Sequence, residues 1–450
     1  MLRALVISYN FPPVGGAGVQ RVLKLVKYLP EHGVQPRVLT VTNPSVPVLD
    51  QSLERDFPRG LEVLRARTFE PSYAAKRAAW EAKGSGATGE RERAQRPSPL
   101  AKLRRTATKA ASDLARQLLF PDPQVLWQPA AQLALVRALR EPTDVVFVSG
   151  PPFSQFLLAP TVRLFAPRAA LVLDYRDEWS TYRQTYEMMG SLLGASIGDP
   201  LEEALLRRAH AVTIATPEFK EALLARFPFV GDDRVFAIPN GYDAEDVPKV
   251  KGTPPSDRVS IAYAGTVFKL TSVRGFLAGV RLFHERNAAL AQKLEIRFMG
   301  RIVETEQDAF DGMSAFGVTT LGYKPHDEVL RALSSSHVNL CVLDDVPNVE
   351  RIYPAKIFEL MALGRPILTL APKGALTRLV QEESLGVVLA PRDAPAIAAY
   401  LERLCLACAG GADDSLLRAP APEAAERYSR LSLAGEFARV FREAVGRARG

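Results

Sequence analysis

Short apolar, β-branched runs recur along the chain, and each is followed by a turn and then by apolar positions at helical spacing. Leu2 to Tyr9 is the first such run, and the loop FPPVGGAG follows it. Val19, Val22, Leu23, Val26 and Leu29 then share one face of a predicted helix, with Lys24, Lys27 and Glu31 opposite. Gly33 stops that helix and Arg37 to Thr42 supplies a second strand. A strand, a helix and a strand in that order predict a parallel sheet. The alternation resumes at DVVFVSG (144–150), ALVLDY (170–175), AVTIAT (211–216) and RVFAIP (234–239).

After Ala244 the stretch EDVPKVKGTPPSDR loses all periodicity, which marks a domain boundary. A second cycle of strands follows at VSIAYAG (259–265), LEIRFMG (294–300), HVNLCVL (337–343), PILTL (366–370) and GVVLA (386–390). The pattern predicts two Rossmann-like α/β domains in tandem, over 1–244 and 245–420. A last helical segment, within 421–450, is expected to cap one of them, the N-terminal domain by preference. Residues 81–99 carry few apolar groups and many charges and turn formers, and they read as a mobile loop.

Composition narrows the class. A chain of 450 residues with 47% hydrophobic and 24% charged residues can bury sizeable cores. No run reaches the roughly 18 to 20 apolar residues of a membrane-spanning helix, and the start lacks a signal peptide's pattern, so a cytoplasmic protein is expected. Three cysteines fit a reducing compartment. Cys405 and Cys408 read as buried side chains on a helix, since a zinc site needs partners that this neighbourhood lacks. The net charge of +7 is too weak a field to indicate nucleic acid, and the basic residues lack interleaved aromatics. The excess is local: residues 73–116 hold 11 Lys and Arg against four acids. That stretch suits an anionic membrane surface, or equally a solvated helix over the N-terminal domain.

Ligands of doubly wound sheets bind beyond the carboxyl ends of the strands, so four post-strand segments carry the candidate chemistry. Gly15 and Gly16 precede a helix, where backbone N–H groups meet an anion. A nicotinamide fingerprint needs a third glycine, and Arg21 lies where the motif would finish. Asp174-Tyr175-Arg176-Asp177-Glu178-Trp179 ends an apolar strand; its charges face a cleft or pair internally, Arg176 with Asp174 or Asp177. It contains no DxD motif, so no obligatory metal is expected. Gly265 and Thr266 lead to Lys269 and Arg274, two cations suited to a diphosphate. Lys356 and Glu359 share a helix face between Pro354 and Gly364, as donor ligands or as an intrahelical pair.

With these residues laid out, the chain resembles the retaining glycosyltransferases of family four, whose GT-B fold sets two Rossmann-like domains facing across a cleft. YNFPPVGGAGVQRVLKLVKYLPEHG, IPNGYD (238–243), LGYKPHDEVL (321–330) and PAKIFELMALGRPIL (354–368) carry the resemblance. It implies transfer of a sugar from a nucleotide-diphosphate donor to a carbohydrate or lipid-linked acceptor, in cell-surface polysaccharide or glycolipid assembly, without a cofactor. Glu359 would bond the donor ribose, Lys269 and Arg274 the diphosphate, and Tyr323 to Pro325, Lys324 included, the base. Gly15 and Gly16 would lie near the phosphates, and Arg176 or Asp177 would replace a cleft histidine. The family's first glutamate falls on Arg351, beside Glu350, and its Gly-Arg pair on Gly265-Thr266. A nucleotide-sugar epimerase or a non-catalytic carbohydrate-assembly protein of the same fold are the alternatives.

Overall fold

The computed structural model describes residues 1–78, 119–179, 192–249, 252–411 and 414–450. The loop 81–99 and the part of the basic stretch beyond Ala78 lie outside them. The chain forms two compact units. The first comprises Met1–Ile214, Ala222–Ile238 and Ala434–Gly450, the second Ala215–Glu221 and Pro239–Leu433.

The first unit holds a seven-stranded sheet of β1 (Leu2–Ile7), β2 (Val34–Val41), β3 (Glu62–Ala66), β4 (Val145–Gly150), β5 (Ala170–Tyr175), β6 (Ala211–Ile214) and β7 (Val235–Ala237). Their order is β3-β2-β1-β4-β5-β6-β7, and every pairing is parallel. Val6 pairs with Val38 on one side and Phe147 on the other. Every residue of β4 and β5 is buried, as expected of strands covered on both faces. The second unit repeats the plan with β8 (Val259–Ala264), β9 (Leu294–Met299), β10 (Val318–Thr320), β11 (Val338–Val342), β12 (Ile367–Leu370) and β13 (Gly386–Leu389), ordered β10-β9-β8-β11-β12-β13. Neither β3 nor β10 stands out as an apolar run in the sequence, because both are edge strands with polar or exposed positions.

Six helices matter below: α1 (Ala17–Tyr28), α2 (Arg274–Arg286), α3 (His326–Ser334), α4 (Lys356–Leu363), α5 (Ala394–Cys408) and α6 (Arg430–Arg449). In the second unit, Phe276, Val280 and Phe283 of α2 and Leu401 and Leu404 of α5 join Ile261 and Tyr263 in one core. Ile357, Phe358, Leu360 and Met361 of α4 join Ala262, Cys341 and Ile367 in another. Each such side chain contributes about 1.5–3 kcal/mol when fully buried. Cys405 lies in the first core, and burial pushes its thiol up to about 12. In the first unit, Phe437 and Phe441 of α6 set their rings 5.6 and 5.5 Å from Phe147, and Arg449 and Arg3 both reach Asp144.

Each sheet starts in its middle. The chain winds outward from β1 through β2 to β3, then crosses back to place β4 on β1's other side; β8 and β11 do the same. Successive connections therefore diverge after β1 and β4, and again after β8 and β11. Such switch points are where the carboxyl end of a parallel sheet opens into a crevice.

Candidate functional site

At the first unit's switch point, Gly16 caps α1 with φ 91° and Gly15 donates its N–H to Val48 O at 3.0 Å. A Cβ on Gly15 would lie 2.8 Å from Val48 Cγ1, so the loop after β1 is pressed against the loop after β2. Arg176, just beyond β5, spans this point. Its guanidinium donates to the carbonyls of Gly18, Gly150 and Pro151, the first after β1 and the others at the end of β4. Arg176 thus braces backbone on both sides of the opening, and Asp177 beside it is exposed.

Asp174 pairs internally, with Arg21 and not with Arg176. It is fully buried and accepts from Arg21 Nη2 at 2.8 Å and Nε at 3.2 Å, from Ser149 Oγ at 2.7 Å and from Thr213 Oγ1 at 2.8 Å. Four charge-assisted bonds satisfy the carboxylate, and Arg21 donates further to Ile238 O at 3.0 Å. Trp179 is buried with its indole stacked on Phe153, centroids 5.1 Å apart. The cluster at the end of β5 therefore divides into a buried anchor, Asp174, and a rim pair, Arg176 and Asp177.

Asp122 fixes the loop after β4 by accepting the Ser154 N–H at 2.9 Å, while its Oδ1 finds no hydrogen bond among the described residues. Burial raises its carboxyl to about 6, against the opposing bonds from Ser154 and Phe153. A carboxyl raised in the folded state binds its proton more tightly there than in the unfolded chain. Stability is then expected to fall as pH rises from about 4 to 6, and the fall should be smaller in Asp122→Asn, read from urea midpoints across that window.

At the second unit's switch point, Lys356 opens α4 after β11 and reaches back across to β8. Its Nζ donates to Ala264 O at 3.1 Å and sits 3.9 Å from the centroid of the Tyr263 ring. The same Nζ lies 3.2 Å from where a Cβ on Gly265 would be. Gly265 has φ 129°, and Gly300, after β9, has φ 135°; a Cβ on Gly300 would fall 2.2 Å from Gly265 O. Both positions need glycine for conformation, and Gly300 needs it for space as well. Tyr263 Oη and Thr271 Oγ1 both donate to Thr266 O, at 3.0 and 2.7 Å, which holds the turn open.

The other candidates of this unit lie around that turn or apart from it. Lys269 is exposed on the short turn Lys269–Thr271. Arg274 begins α2, but its guanidinium is held by Asp308 at 2.9 Å, by Thr305 O at 2.7 Å and by Glu306 at 3.4 Å. The Asp308 hydrogen bond raises the Arg274 pKa further. Glu359, one turn along α4 from Lys356, does not pair with it. Its Oε1 lies 3.6 Å from His326 Nε2 at the start of α3. Burial raises the Glu359 carboxyl, Asp246 adds to the rise, and His326 and Arg430 oppose it. Tyr323 is 87% exposed, and Lys324 pairs with Glu328 at 3.1 Å on α3. Arg351 turns its side chain to Asn348, while its carbonyl accepts from Thr216 Oγ1 at 2.7 Å. His326 and Arg21 were not singled out as functional in the sequence; one lies in LGYKPHDEVL and the other where a dinucleotide fingerprint would finish.

Two parallel α/β units on one chain, each opening at a switch point, define the GT-B class of glycosyltransferase fold. Solved structures share it over almost the whole length. Sucrose-phosphate synthase from Thermosynechococcus elongatus matches with TM-score 0.61 and 16% identity, over 98% of each chain. HepE from Anabaena in complex with UDP and glucose matches with TM-score 0.57 and 14% identity, over 98% of this chain and 99% of that one. A mutant of S. aureus TarM in complex with Fondaparinux, alpha-GlcNAc-glycerol and UDP matches with TM-score 0.56 and 9% identity, over 98% and 100%. Residues 15–241 match the family model described as glycosyl transferase 4-like domain, and residues 261–406 that of glycosyl transferases group 1. The chain belongs to this family of group 1 glycosyltransferases with a glycosyl transferase 4-like domain. No curated protein sequence matches it.

Proposed function

We propose that the second unit binds a nucleotide-diphosphate sugar and that the enzyme passes the sugar to an acceptor hydroxyl with retention, in polysaccharide or glycolipid assembly. The observation that carries this reading is the Lys356 ammonium laid across the switch point against the Gly265 turn. A cation beside an exposed glycine turn, where chain connections diverge, suits a diphosphate. Lys356, with Lys269 and Arg274, supplies counter-charge to the leaving group without a metal ion. Gly265, whose N–H is held by Met299 O, leaves room for the phosphates, Thr266 offers them its N–H, Glu359 accepts from the ribose, and Tyr323 with Lys324 faces the base. In the first unit, Gly15, Gly16, Arg176 and Asp177 are assigned to the acceptor side.

As the bond from the anomeric carbon to the phosphate oxygen breaks, the acceptor oxygen bonds that carbon from the same face. Its proton passes to the departing phosphate oxygen, so no side-chain base is required. Nucleotide complexes of HepE and TarM support UDP as the first probe. Glu359→Ala is expected to weaken UDP binding about tenfold in titration calorimetry, the loss of one or two bonds to a charged acceptor. Unchanged affinity would remove Glu359 from the donor site. Assays with radiolabelled nucleotide sugars, with and without acceptor, test the reaction itself: conversion of the donor alone would instead indicate an epimerase.

A further inference from the structure

We infer that the rim formed by the loops after β1, β2 and β3 docks on an anionic phospholipid surface. The three strands are neighbours in the sheet, so their following loops emerge side by side. Backbone and side-chain bonds stitch them together. Val14 and Leu49 form an antiparallel bridge, Arg65 Nη1 donates to Pro12 O at 3.1 Å, and Ser45 Oγ donates to Pro71 O at 2.7 Å.

On this stitched rim the apolar side chains point outward. Val48 is 52%, Leu49 60% and Phe69 63% exposed, and Tyr73 follows on the same segment. Arg65, Arg67 and Phe69 alternate with the buried Ala66, Thr68 and Glu70 on one extended segment, so Arg67 and the Phe69 ring share its outer face with Arg65, whose guanidinium is held by Pro12 O and Glu54. Of the rim's carboxylates, Glu54 stays exposed and Asp50 half-buried, but each is engaged, as is Glu70. Glu70 is buried, taking the Tyr9 hydroxyl at 2.5 Å and Lys76 Nζ at 2.5 Å. Glu54 lies 3.6 Å from Arg65, and Asp50 accepts the Ser52 N–H. Exposed apolar groups beside Arg65 and Arg67, with Glu70 buried and Glu54 paired to Arg65, match a surface that is anionic outside and apolar beneath. Beyond Ala78 the sequence runs on with nine Lys and Arg against four acids up to Arg116, an excess of the same sign.

This inference does not depend on the donor assignment, because it concerns the first unit alone. Full-length protein would be floated with vesicles of mixed phosphatidylglycerol and phosphatidylcholine, and with phosphatidylcholine alone. Binding is expected to the mixed vesicles only and to weaken with added salt. Leu49→Asp combined with Phe69→Asp should reduce it about tenfold while leaving the basic stretch, the melting temperature and UDP binding unchanged. Separately, Phe69→Trp should show added fluorescence, blue-shifted by mixed vesicles and quenched by brominated lipid. Absence of wild-type binding, equal binding to both vesicles, or full binding by the double variant would each overturn the inference. A dimer in light scattering that the double variant breaks, without vesicle binding, would assign the rim to a second copy and overturn it too.

Discussion

Lys356→Ala is expected to lower kcat/KM for sugar transfer by about 10²-fold, the usual loss when one preorganised charge is removed from a developing anion. The side chain is held before any donor arrives, by Ala264 O at 3.1 Å and the face of Tyr263 at 3.9 Å. Its position therefore costs little reorganisation at the moment the diphosphate departs. Lys356→Arg should recover a small part of the rate, since a planar guanidinium cannot place a compact charge over Tyr263 while also bonding Ala264 O. Arg274→Ala provides the contrast. Its guanidinium is already committed to Asp308, Glu306 and Thr305 O, so less of its charge is available to a ligand. A loss under tenfold is expected there. Initial rates with a panel of nucleotide sugars, together with UDP affinity, read both variants. Wild-type transfer by Lys356→Ala would sink the assignment of the diphosphate to this switch point.

What the sequence shows and what it hides follow from the range of the interactions. Strands buried on both faces announce themselves as unbroken apolar runs, and β4, β5 and β11 were legible for that reason. Edge strands need bury less, so Glu62–Ala66 and Val318–Thr320 look like loop until their neighbours pair with them. Local spacing made Lys356 and Glu359 a candidate pair. Each instead turns to a different strand or helix: Lys356 to β8, 92 positions earlier, and Glu359 to His326. Local spacing offers Asp174 either a cleft or a pairing with Arg176, two residues on, yet its partner Arg21 is 153 positions away. Candidate residues are readable from motif and turn chemistry. Their partners are set by sheet order, which brings β8 beside β11 and α1 beside β5, and no local spacing encodes that.

Asp174→Ala should be the most damaging single change to the first unit, at about 3–5 kcal/mol, because it leaves Arg21 buried without its counter-ion. Arg21 and Asp174 have side chains 3% and 0% exposed, so water cannot replace the lost carboxylate. Ser149 and Thr213 lose their acceptor at the same stroke. The consequence reaches the rim. Arg21 sits on the first turns of α1, directly after the Gly15-Gly16 loop, and Asp174 ties that helix to the end of β5, next to Arg176. Asp174→Asn keeps the shape and two acceptor lone pairs and should cost less, while Arg21→Ala should cost nearly as much as Asp174→Ala. The double change Arg21→Met with Asp174→Leu should cost less than the sum of the two single alanine changes, since no orphaned charge remains. Urea unfolding measures these differences, and UDP affinity is the internal control: the second unit carries its own two cores, so nucleotide binding should persist in protein whose first unit is weakened. If Asp174→Ala unfolded at the wild-type midpoint, the buried pair would not be the brace that holds the glycine loop.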